Sequence, residues 1–294
     1  KILMNIDDSE NNSTLLKFQI VLALQSHTNE YIYQKDENET IILEELEKNL
    51  YNSSLQNNIL NANKLACLAS YKSLNDISWL DLNLVPKELD LIIKRNIIEI
   101  KKEEQIKHKI KSLNTIQNHT SKKVKELYEK HPYPRWLKTQ CFSKPVKLKE
   151  LIFQLKLRAN DVLSKSGPKI LIAGCGTGQH AIMTASRFLD SEVLAIDLSY
   201  NSLSYAKRKT DELGLKNISF FQADITENID FKIKFDIIES VGVLHHLKEP
   251  EIGIKNLLES LKIGGLFKIG LYSKLGRRDL VNTKNFIAVN KLID

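Results

Sequence analysis

The feature that most constrains this chain is a group of three glycines at alternate positions in the run 174–178. A short apolar run, 170–173, precedes the glycines, and an amphipathic helical pattern follows them. A second apolar run, 193–196, then ends in Asp197. Glycines allow the backbone to turn sharply where a side chain would not fit. The order of strand, glycine turn, helix, strand and acid predicts half of an α/β unit with parallel strands.

The rest of the C-terminal half continues this alternation of strands and helices. We predict strands near 169–173, 192–197, 217–223, 235–240 and 264–272, and helices near 178–190, 201–214, 250–262 and from about 277. Strands that alternate with helices build a parallel sheet with helices on both faces. The predicted fold class is therefore α/β, with a Rossmann-like doubly wound parallel sheet.

The N-terminal half differs in its glycine and proline content. None of the eleven glycines precedes Gly167, and Pro86 is the only proline ahead of the run 132–134. A long stretch without glycine favours helices over hairpins and βα turns. We therefore predict an all-α helical domain at 1–137 and a Rossmann-like domain at 138–294.

Helical spacing of apolar residues locates the elements outside the sheet. It predicts helices at 14–25, 39–50 and 60–74, a long helix opened by Pro86, and further helices at 121–130 and 146–163. The helix pairs lack the tetratricopeptide consensus. We therefore expect an irregular helical bundle.

Composition narrows the class of protein. Hydrophobic residues make up 42% of the 294 and charged residues 27%, which is typical of a globular chain. No apolar run approaches the roughly 18 residues of a membrane span, so we expect no membrane association. The cysteines, Cys67, Cys141 and Cys175, match no zinc pattern and leave one thiol over if two pair. These observations predict a reducing, cytoplasmic location and no metal site.

The net charge of +7 permits a polyanionic partner. Lys, Asn and Ile are, however, used heavily along the whole chain, which indicates a compositional bias. Nucleic acid therefore stays a possible partner but is not favoured.

The glycine spacing indicates the kind of ligand that the turn accepts. Dinucleotide sites seat a pyrophosphate on the spacing G-x-G-x-x-G. Here the third glycine comes one residue early, and Gln179 stands where the dinucleotide pattern has glycine. The loop therefore favours a ligand without a pyrophosphate.

Acidic residues follow two of the predicted strands. Asp197 can accept two hydrogen bonds from a ribose diol, or it can cap the next helix, a role open also to Ser199 or Asn201. Asp224 can accept from an adenine amino group, with the backbone N–H of Ile225 beside it. We favour the ribose and adenine roles.

Five motifs together resemble one enzyme family. They are ILIAGCGTGQHA (170–181), VLAIDLS (193–199), FQADI (221–225), FDIIESVGVLHHL (235–247) and LKIGGLFKIGLYS (261–273). Their order and spacing resemble the class I S-adenosylmethionine-dependent methyltransferases over residues 168 to 276. The Tyr-x3-Pro-Tyr-Pro-Arg-Trp segment at 128–136 and NEYIY at 29–33 are similar to a bacterial subgroup with an N-terminal helical, often tetratricopeptide-linked region.

The resemblance implies a cofactor, S-adenosyl-L-methionine, and a set of residues around it. The glycines are expected around its methionine part, Asp197 on the ribose and Asp224 on the adenine. Glu239 to Val241 are expected to line the cofactor at the end of the fourth strand. The full predicted cofactor-binding set is Gly174, Cys175, Gly176, Gly178, His180, Asp197, Leu198, Asp224, Ile225, Glu239, Ser240, Val241, Tyr128, Tyr133 and Arg135.

Two roles are open for the aromatic segment 128–136. Its prolines enforce an extended backbone, because each restricts the residue before it. Tyr128, Tyr133 and Arg135 can form a lid whose rings meet the sulfonium by cation–π contact. The segment can equally be a packing joint between the two domains.

Methyl transfer needs a base only where the nucleophile must lose a proton. Because imidazole is the side chain best suited to exchange a proton at physiological pH, His245 and His246, which follow the fourth strand, are the candidate catalytic residues. The alternatives are that His246 is structural or that alignment alone suffices. No Asn/Asp-Pro-Pro-Tyr motif occurs here, which disfavours methylation of amide or base nitrogens.

The predicted sheet lacks the last hairpin that the family usually has. A free edge beside the fifth strand favours association. We therefore expect either a longer protein, whose missing C-terminal segment covers the edge, or an oligomer.

Three functions are compatible with the sequence. The first is a methyltransferase that acts on a small molecule or a carrier-presented moiety. The second is an RNA, for example transfer RNA, methyltransferase, which the basic charge and the Val-Leu-His-His run at 243–246 permit. The third is a helical interaction module with a catalytically inactive cofactor-binding domain.

Overall fold

A computed structural model describes residues 13–157, 167–273 and 275–290. It divides into two compact units, Lys1–Gln105 and Ile106–Asp294. The division comes earlier in the chain than the boundary predicted after residue 137. Residues 106–137 belong with the second unit because they hydrogen-bond to it. The N–H of Leu113, for example, donates to the carbonyl of Gln222 over 2.9 Å.

The first unit is helical. Its elements are α1 (Ser13–Thr28), α2 (Glu37–Leu55), α3 (Ala62–Ala69) and a composite helix that runs through α4 (Asp90–Ile93), a π-helical turn (Lys94–Ile98) and α5 (Glu99–Lys107). Leucine and isoleucine side chains of these helices, among them Leu50, Leu65, Leu89 and Ile92, form its core. The four helices expected ahead of residue 105 are thus present.

The helix that was expected from Pro86 is interrupted by the π-helical turn. Asn96 lies in this wider turn and is fully buried. Its side-chain oxygen accepts hydrogen bonds from the Tyr31 hydroxyl (2.9 Å) and from the Leu74 N–H (3.2 Å). These bonds satisfy the side-chain oxygen of Asn96 in the core of the first unit, whereas its Nδ2 has no hydrogen-bond partner among the described residues.

The second unit contains a five-stranded parallel sheet. Its strands are β1 (Lys169–Ala173), β2 (Glu192–Asp197), β3 (Ile218–Gln222), β4 (Phe235–Val241) and β5 (Leu261–Gly270). The order across the sheet is β3-β2-β1-β4-β5, and every pair is parallel. The order reverses between β1 and β4, and ligands of such sheets bind in the crevice at this switch point. The predicted Rossmann-like fold is confirmed.

Six described helices accompany the sheet in the second unit. They are α6 (His119–Lys130), α7 (Leu148–Gln154), α8 (Gln179–Arg187), α9 (Tyr200–Glu212), α10 (Pro250–Glu259) and α11 (Arg278–Val289). Five of them agree with the predicted helices within a few residues, whereas α7 ends at Gln154, so the helix predicted at 146–163 ends earlier than expected. The part of the predicted helix 146–163 beyond residue 157 lies outside the described residues.

The β1 strand shows why the apolar runs in this sequence are continuous. Ile170 and Ile172 pack into one hydrophobic core, and Leu171 and Ala173 pack into another. Both faces of the sheet are therefore buried, which is typical of parallel sheets covered by helices. Within the described ranges, no helix has the length and apolar character to cross a membrane.

Candidate functional site

The glycine turn lies at the carboxyl end of β1, beside the switch point. Gly174 has a φ of 76°, and a Cβ atom there would lie 2.3 Å from a Val243 methyl group. Gly178 has a φ of 84°, and its Cβ would lie 2.5 Å from that of Ala206 in α9. Glycine is therefore required at both positions, because the backbone has a positive φ and because a neighbouring side chain lies where a Cβ atom would be. Gly178 serves helix packing rather than ligand contact.

A cavity of about 590 Å³ opens above this turn, within the second unit. The volume is within the range of small-molecule sites. Twelve of the residues predicted to bind cofactor or to act in catalysis line it. They are Tyr128, Tyr133, Gly174, Cys175, Gly176, His180, Asp197, Leu198, Asp224, Ile225, Val241 and His246. Five predicted site residues, Gly178, Arg135, Glu239, Ser240 and His245, are not among the lining residues.

Asp197 ends β2 at the cavity wall. Its carboxylate accepts hydrogen bonds from the N–H groups of Gly176 (2.8 Å) and Ser199 (3.0 Å). The helix α9 is capped instead by the hydroxyl of Ser199, which accepts from the Ser202 N–H over 3.0 Å. Burial raises the pKa of Asp197, and the N–H donors oppose that rise. Because Ser199 caps the helix, the Asp197 carboxylate is available to a ligand.

Asp224 follows β3 on the same side of the sheet. Its Oδ1 accepts from the N–H and the hydroxyl of Thr226, both over 2.8 Å. Its Oδ2 is buried and has no hydrogen-bond partner among the described residues. A buried acceptor without a donor costs about 1–3 kcal/mol. The unpaired oxygen belongs to a residue of the cavity wall, as a site for a ligand N–H donor would require.

Glu239 lies beneath the cavity, not in its wall. The carboxylate is 2.6 Å from His180 Nε2 and 3.6 Å from Lys268 Nζ, and it accepts from the Thr184 hydroxyl over 2.9 Å. Burial alone would raise its pKa, but hydrogen bonding to His180 and the nearby positive charges keep the pKa of Glu239 below its usual range. Glu239 therefore orients His180, which does line the cavity.

Ser240, the next residue of β4, is also structural. It is fully buried, and its hydroxyl donates to the carbonyl of Ala173 over 3.2 Å. This bond joins β4 to β1 at the switch point. Side chains of successive strand residues point to opposite faces, so Ser240 points away from the face that Val241 shares with Glu239.

Residues 134–136, which precede α7, are hydrogen-bonded to the glycine turn. Thr177 donates its hydroxyl to the Pro134 carbonyl over 2.7 Å, and Trp136 Nε1 donates to the Thr177 carbonyl over 3.0 Å. Trp136 is buried, whereas Tyr133 is 75% exposed and lines the cavity. Arg135 points elsewhere, with its guanidinium 5.9 Å from the Tyr205 ring. The segment thus has packing contacts within the second unit and also contributes a ring to the site.

The helix α6 carries Tyr128 to the cavity. The carboxylate of the next residue, Glu129, accepts from the N–H groups of Tyr200 (2.8 Å) and Asn201 (3.2 Å) at the start of α9. The Ser199 hydroxyl also donates to the Tyr128 carbonyl over 3.0 Å. Burial and the nearby Asp197 carboxylate raise the pKa of Tyr128. The two helices are therefore joined next to the site.

The two candidate bases have different surroundings. His246 lines the cavity, while the His245 ring packs 3.9 Å from the Tyr272 ring, measured between centroids. Their Nε2 atoms are 3.1 Å apart. Burial, the neighbouring His246 and Arg277 lower the pKa of His245, which therefore stays neutral at physiological pH. Of the two, His246 is the one that a ligand in the cavity can reach.

Sequence reasoning missed three parts of the site. Thr177 and Glu129 act through hydrogen bonds to distant backbone groups, and no local motif marks them. Residues 111–114 lie along β3, where Ser112 and Gln222 form an isolated parallel bridge. Within the described ranges, no group of three His, Cys, Asp or Glu could hold a metal ion.

Comparison with known proteins finds a family match within this unit. Residues 170–265 match the family model described as a methyltransferase domain. An uncharacterised protein of Synechococcus sp. is 35% identical over 123 residues, which are 42% of this chain and 30% of that protein. The (S)-coclaurine N-methyltransferase of Papaver somniferum is 31% identical over 102 residues, 35% of this chain and 29% of the enzyme.

A third relative is similar over a region of comparable length. The malonyl-[acyl-carrier protein] O-methyltransferase of Acetivibrio thermocellus is 28% identical over 115 residues, 39% of this chain and 39% of the enzyme. The chain thus spans less than half the length of each of these three relatives.

The matched region is a methyltransferase domain of the class I, S-adenosylmethionine-dependent type. S-adenosylmethionine is the cofactor of this class. The residues present fit that cofactor, because the cavity wall combines a glycine turn, in which Gly174 and Gly176 have positive φ, with two carboxylates at the ends of β2 and β3. The unpaired Asp224 Oδ2 in particular matches a ligand with an N–H donor.

Proposed function

We propose that the protein transfers a methyl group from S-adenosylmethionine to a small molecule or to a moiety presented on a carrier. The observation that carries the proposal is the unpaired, buried Oδ2 of Asp224 beside the glycine turn. An oxygen in this position needs a donor, and the exocyclic amino group of adenine supplies one. When bound, the cofactor supplies an electrophilic methyl group on a sulfonium sulfur.

We assign the cofactor contacts to three parts of the cavity wall. Asp197 holds the two ribose hydroxyls, because each carboxylate oxygen keeps a lone pair after accepting one backbone N–H. Asp224 and the N–H of Ile225 hold the adenine edge. The glycine turn takes the methionine part through Gly174 and Gly176, the two of its glycines that line the cavity.

We propose His246 as the general base where the nucleophile of the methyl acceptor must lose a proton. With the cofactor bound, its sulfonium would supply the methyl group, and His246 would accept the proton that the nucleophile loses. That His246 lines the cavity, whereas His245 packs on Tyr272, supports this choice. Separate His246→Ala and His245→Ala variants test it. Full turnover in both variants would mean that alignment alone drives the transfer.

Two observations support the proposed class of methyl acceptor. Aromatic and aliphatic side chains, including Tyr133, Val243 and Tyr272, line much of the cavity. The names of two relatives describe an N-methyltransferase for (S)-coclaurine and an O-methyltransferase for malonyl-[acyl-carrier protein]. We also propose a cytoplasmic location, supported by three cysteines that are all free thiols, of which Cys141 is exposed.

The decisive experiment is transfer of a radiolabelled methyl group into fractionated cell extract. The extract is divided into small-molecule, carrier-protein and RNA pools, and each is incubated with the full chain and labelled cofactor. Label in the small-molecule or carrier-protein pool supports the proposal. Label in RNA alone, sensitive to salt, would contradict the proposed acceptor class. Cofactor binding without label in any pool would indicate an inactive module.

A further inference from the structure

The side-chain amide of Asn114 holds both backbone groups of Asp224. Its Oδ1 accepts from the Asp224 N–H over 3.0 Å, and its Nδ2 donates to the Asp224 carbonyl over 2.9 Å. The Nδ2 atom also lies 3.3 Å from the Asn228 carbonyl oxygen. This amide therefore pairs with Asp224 as a neighbouring strand would, although the two residues are 110 positions apart.

The segment that carries Asn114 is itself held against β3. The N–H of Gln222 donates to the Lys111 carbonyl and the N–H of Leu113 to the Gln222 carbonyl, both over 2.9 Å. The hydroxyl of Ser112 donates to the Asn114 carbonyl over 2.6 Å. Asn114 is thus fixed before any ligand binds.

The carboxylate end of the Asp224 side chain is also held in place. Thr226 donates two hydrogen bonds to Oδ1, which determines the side-chain rotamer. Asn114 fixes the peptide groups on both sides of the Asp224 Cα atom and so the direction of the Cα–Cβ bond. Together these contacts determine where the unpaired Oδ2 lies.

We infer that Asn114 is a positioning residue for recognition of the cofactor's base, acting through Asp224. The inference rests on the proposed function, in which Asp224 Oδ2 accepts from the adenine amino group. Asn114 lies outside the region 170–265 that matches the methyltransferase family model, so the contact is an addition to the matched domain. Asn114 thereby favours binding of a purine with an amino group over one with a carbonyl group at the same ring position.

The test compares two ligands that differ at that position. S-adenosylhomocysteine carries the amino group, and S-inosylhomocysteine carries an oxygen that would face the Asp224 carboxylate. Isothermal titration of the full chain should show the adenosyl ligand bound more tightly by about tenfold or more, since a lost charged hydrogen bond leaves a buried oxygen unpaired. In Asn114→Ala this ratio should fall to about threefold or less, mainly through weaker adenosyl binding.

A matched control separates positioning from loss of stability. The amide of Asn217 also donates two hydrogen bonds, to the Ala185 carbonyl (2.9 Å) and to the Ser191 hydroxyl (3.0 Å), at residues that do not line the cavity. Asn217→Ala should lower the melting temperature without changing the ligand ratio. If Asn114→Ala does not fold, Asn114→Gln, which shifts the amide by one methylene, should lower the ratio in its place.

The outcomes are distinguishable. An unchanged ratio in a folded Asn114 variant overturns the inference and leaves the proposed function intact. Failure of the wild-type chain to bind S-adenosylhomocysteine overturns both. A ratio that also collapses in Asn217→Ala would show that the effect is general destabilisation and would likewise overturn the inference.

Discussion

At the scale of single residues, the site is defined by two carboxylates that are held differently. Asp197 has its oxygens on backbone N–H groups of the glycine turn and of Ser199. Asp224 has one oxygen satisfied by Thr226 and one without a described partner. Both orientations are set by the protein, so the binding of a ligand requires little rearrangement.

Replacement of Asp197 by Ala should weaken cofactor binding by about 1–3 kcal/mol, because the ribose hydroxyls would lose their acceptor. Titration calorimetry with S-adenosylhomocysteine measures this loss. Asp211→Ala, which removes a carboxylate whose partner is Lys207 on the surface of α9, is the control and should bind normally. Unchanged affinity in the Asp197 variant would show that the ribose assignment is wrong.

Glu239 should make the stability of the second unit depend on acidic pH. Its folded-state pKa is lowered, so the stabilisation is complete above its unfolded value of about 4.3 and is lost as the pH falls through the lower folded value. Denaturant unfolding should show Glu239→Gln to be less stable by about 1–3 kcal/mol at pH 7. The difference should shrink below about pH 4. An equal difference at pH 7 and at pH 3 would contradict the ion pairing.

At the scale of elements, α6 and α9 are joined where they approach the site. The Glu129 carboxylate occupies the N-terminus of α9 and accepts from two of its free N–H groups. The positive end of the helix dipole favours a carboxylate there. The contact fixes α6 and so places Tyr128 in the cavity wall.

Glu129→Ala should therefore destabilise the protein by about 1–3 kcal/mol and also weaken cofactor binding, because Tyr128 loses its support. Glu126→Ala provides a matched control on the exposed face of the same helix. Thermal unfolding and calorimetric titration measure the two effects. If Glu129→Ala loses stability but binds cofactor normally, α6 does not contribute to the site.

The elements that the sequence predicted well are those with a local signal. The strands β1 and β2 are continuous apolar runs buried on both faces. The glycine turn has a distinctive pattern of three glycines at alternate positions. Residues 111–114 carry no such signal, because their partners, such as Gln222 for Leu113, are distant in sequence. Of the stretch Glu239 to Val241, only Val241 lines the cavity. Ser240 points to the opposite face, and the Glu239 carboxylate is instead held by His180 and Thr184, contacts that no local pattern indicates.

At the scale of the whole molecule, the chain consists of two units with separate hydrophobic cores. The helical unit has its own cluster of buried leucines and isoleucines. The second unit has one cluster on each face of the sheet and a smaller one of Trp136, Ile182 and Tyr205. Every lining residue of the cavity lies between Asn118 and Arg277, within the second unit. Cofactor binding should therefore be a property of that unit.

Residues 106–294 expressed alone should bind S-adenosylhomocysteine with the affinity of the full chain within about threefold, since the lining residues are all retained. Residues 138–294, which begin at the boundary suggested by glycine content, should bind much more weakly, because Tyr128, Tyr133 and Asn114 are missing. Calorimetry on both pieces, with circular dichroism to establish that each is folded, makes the comparison. Equal binding by the two pieces would show that the segment 106–137 is dispensable.

Titration of the full wild-type chain with S-adenosylmethionine is the sharpest test of the cofactor assignment. We predict one binding site per chain, with a dissociation constant between about 1 μM and 1 mM, in the range of enzyme substrates. S-adenosylhomocysteine should compete for that site, and Asp197→Ala should weaken it. Absence of binding by a folded wild-type protein would contradict the assignment of the cavity to this cofactor.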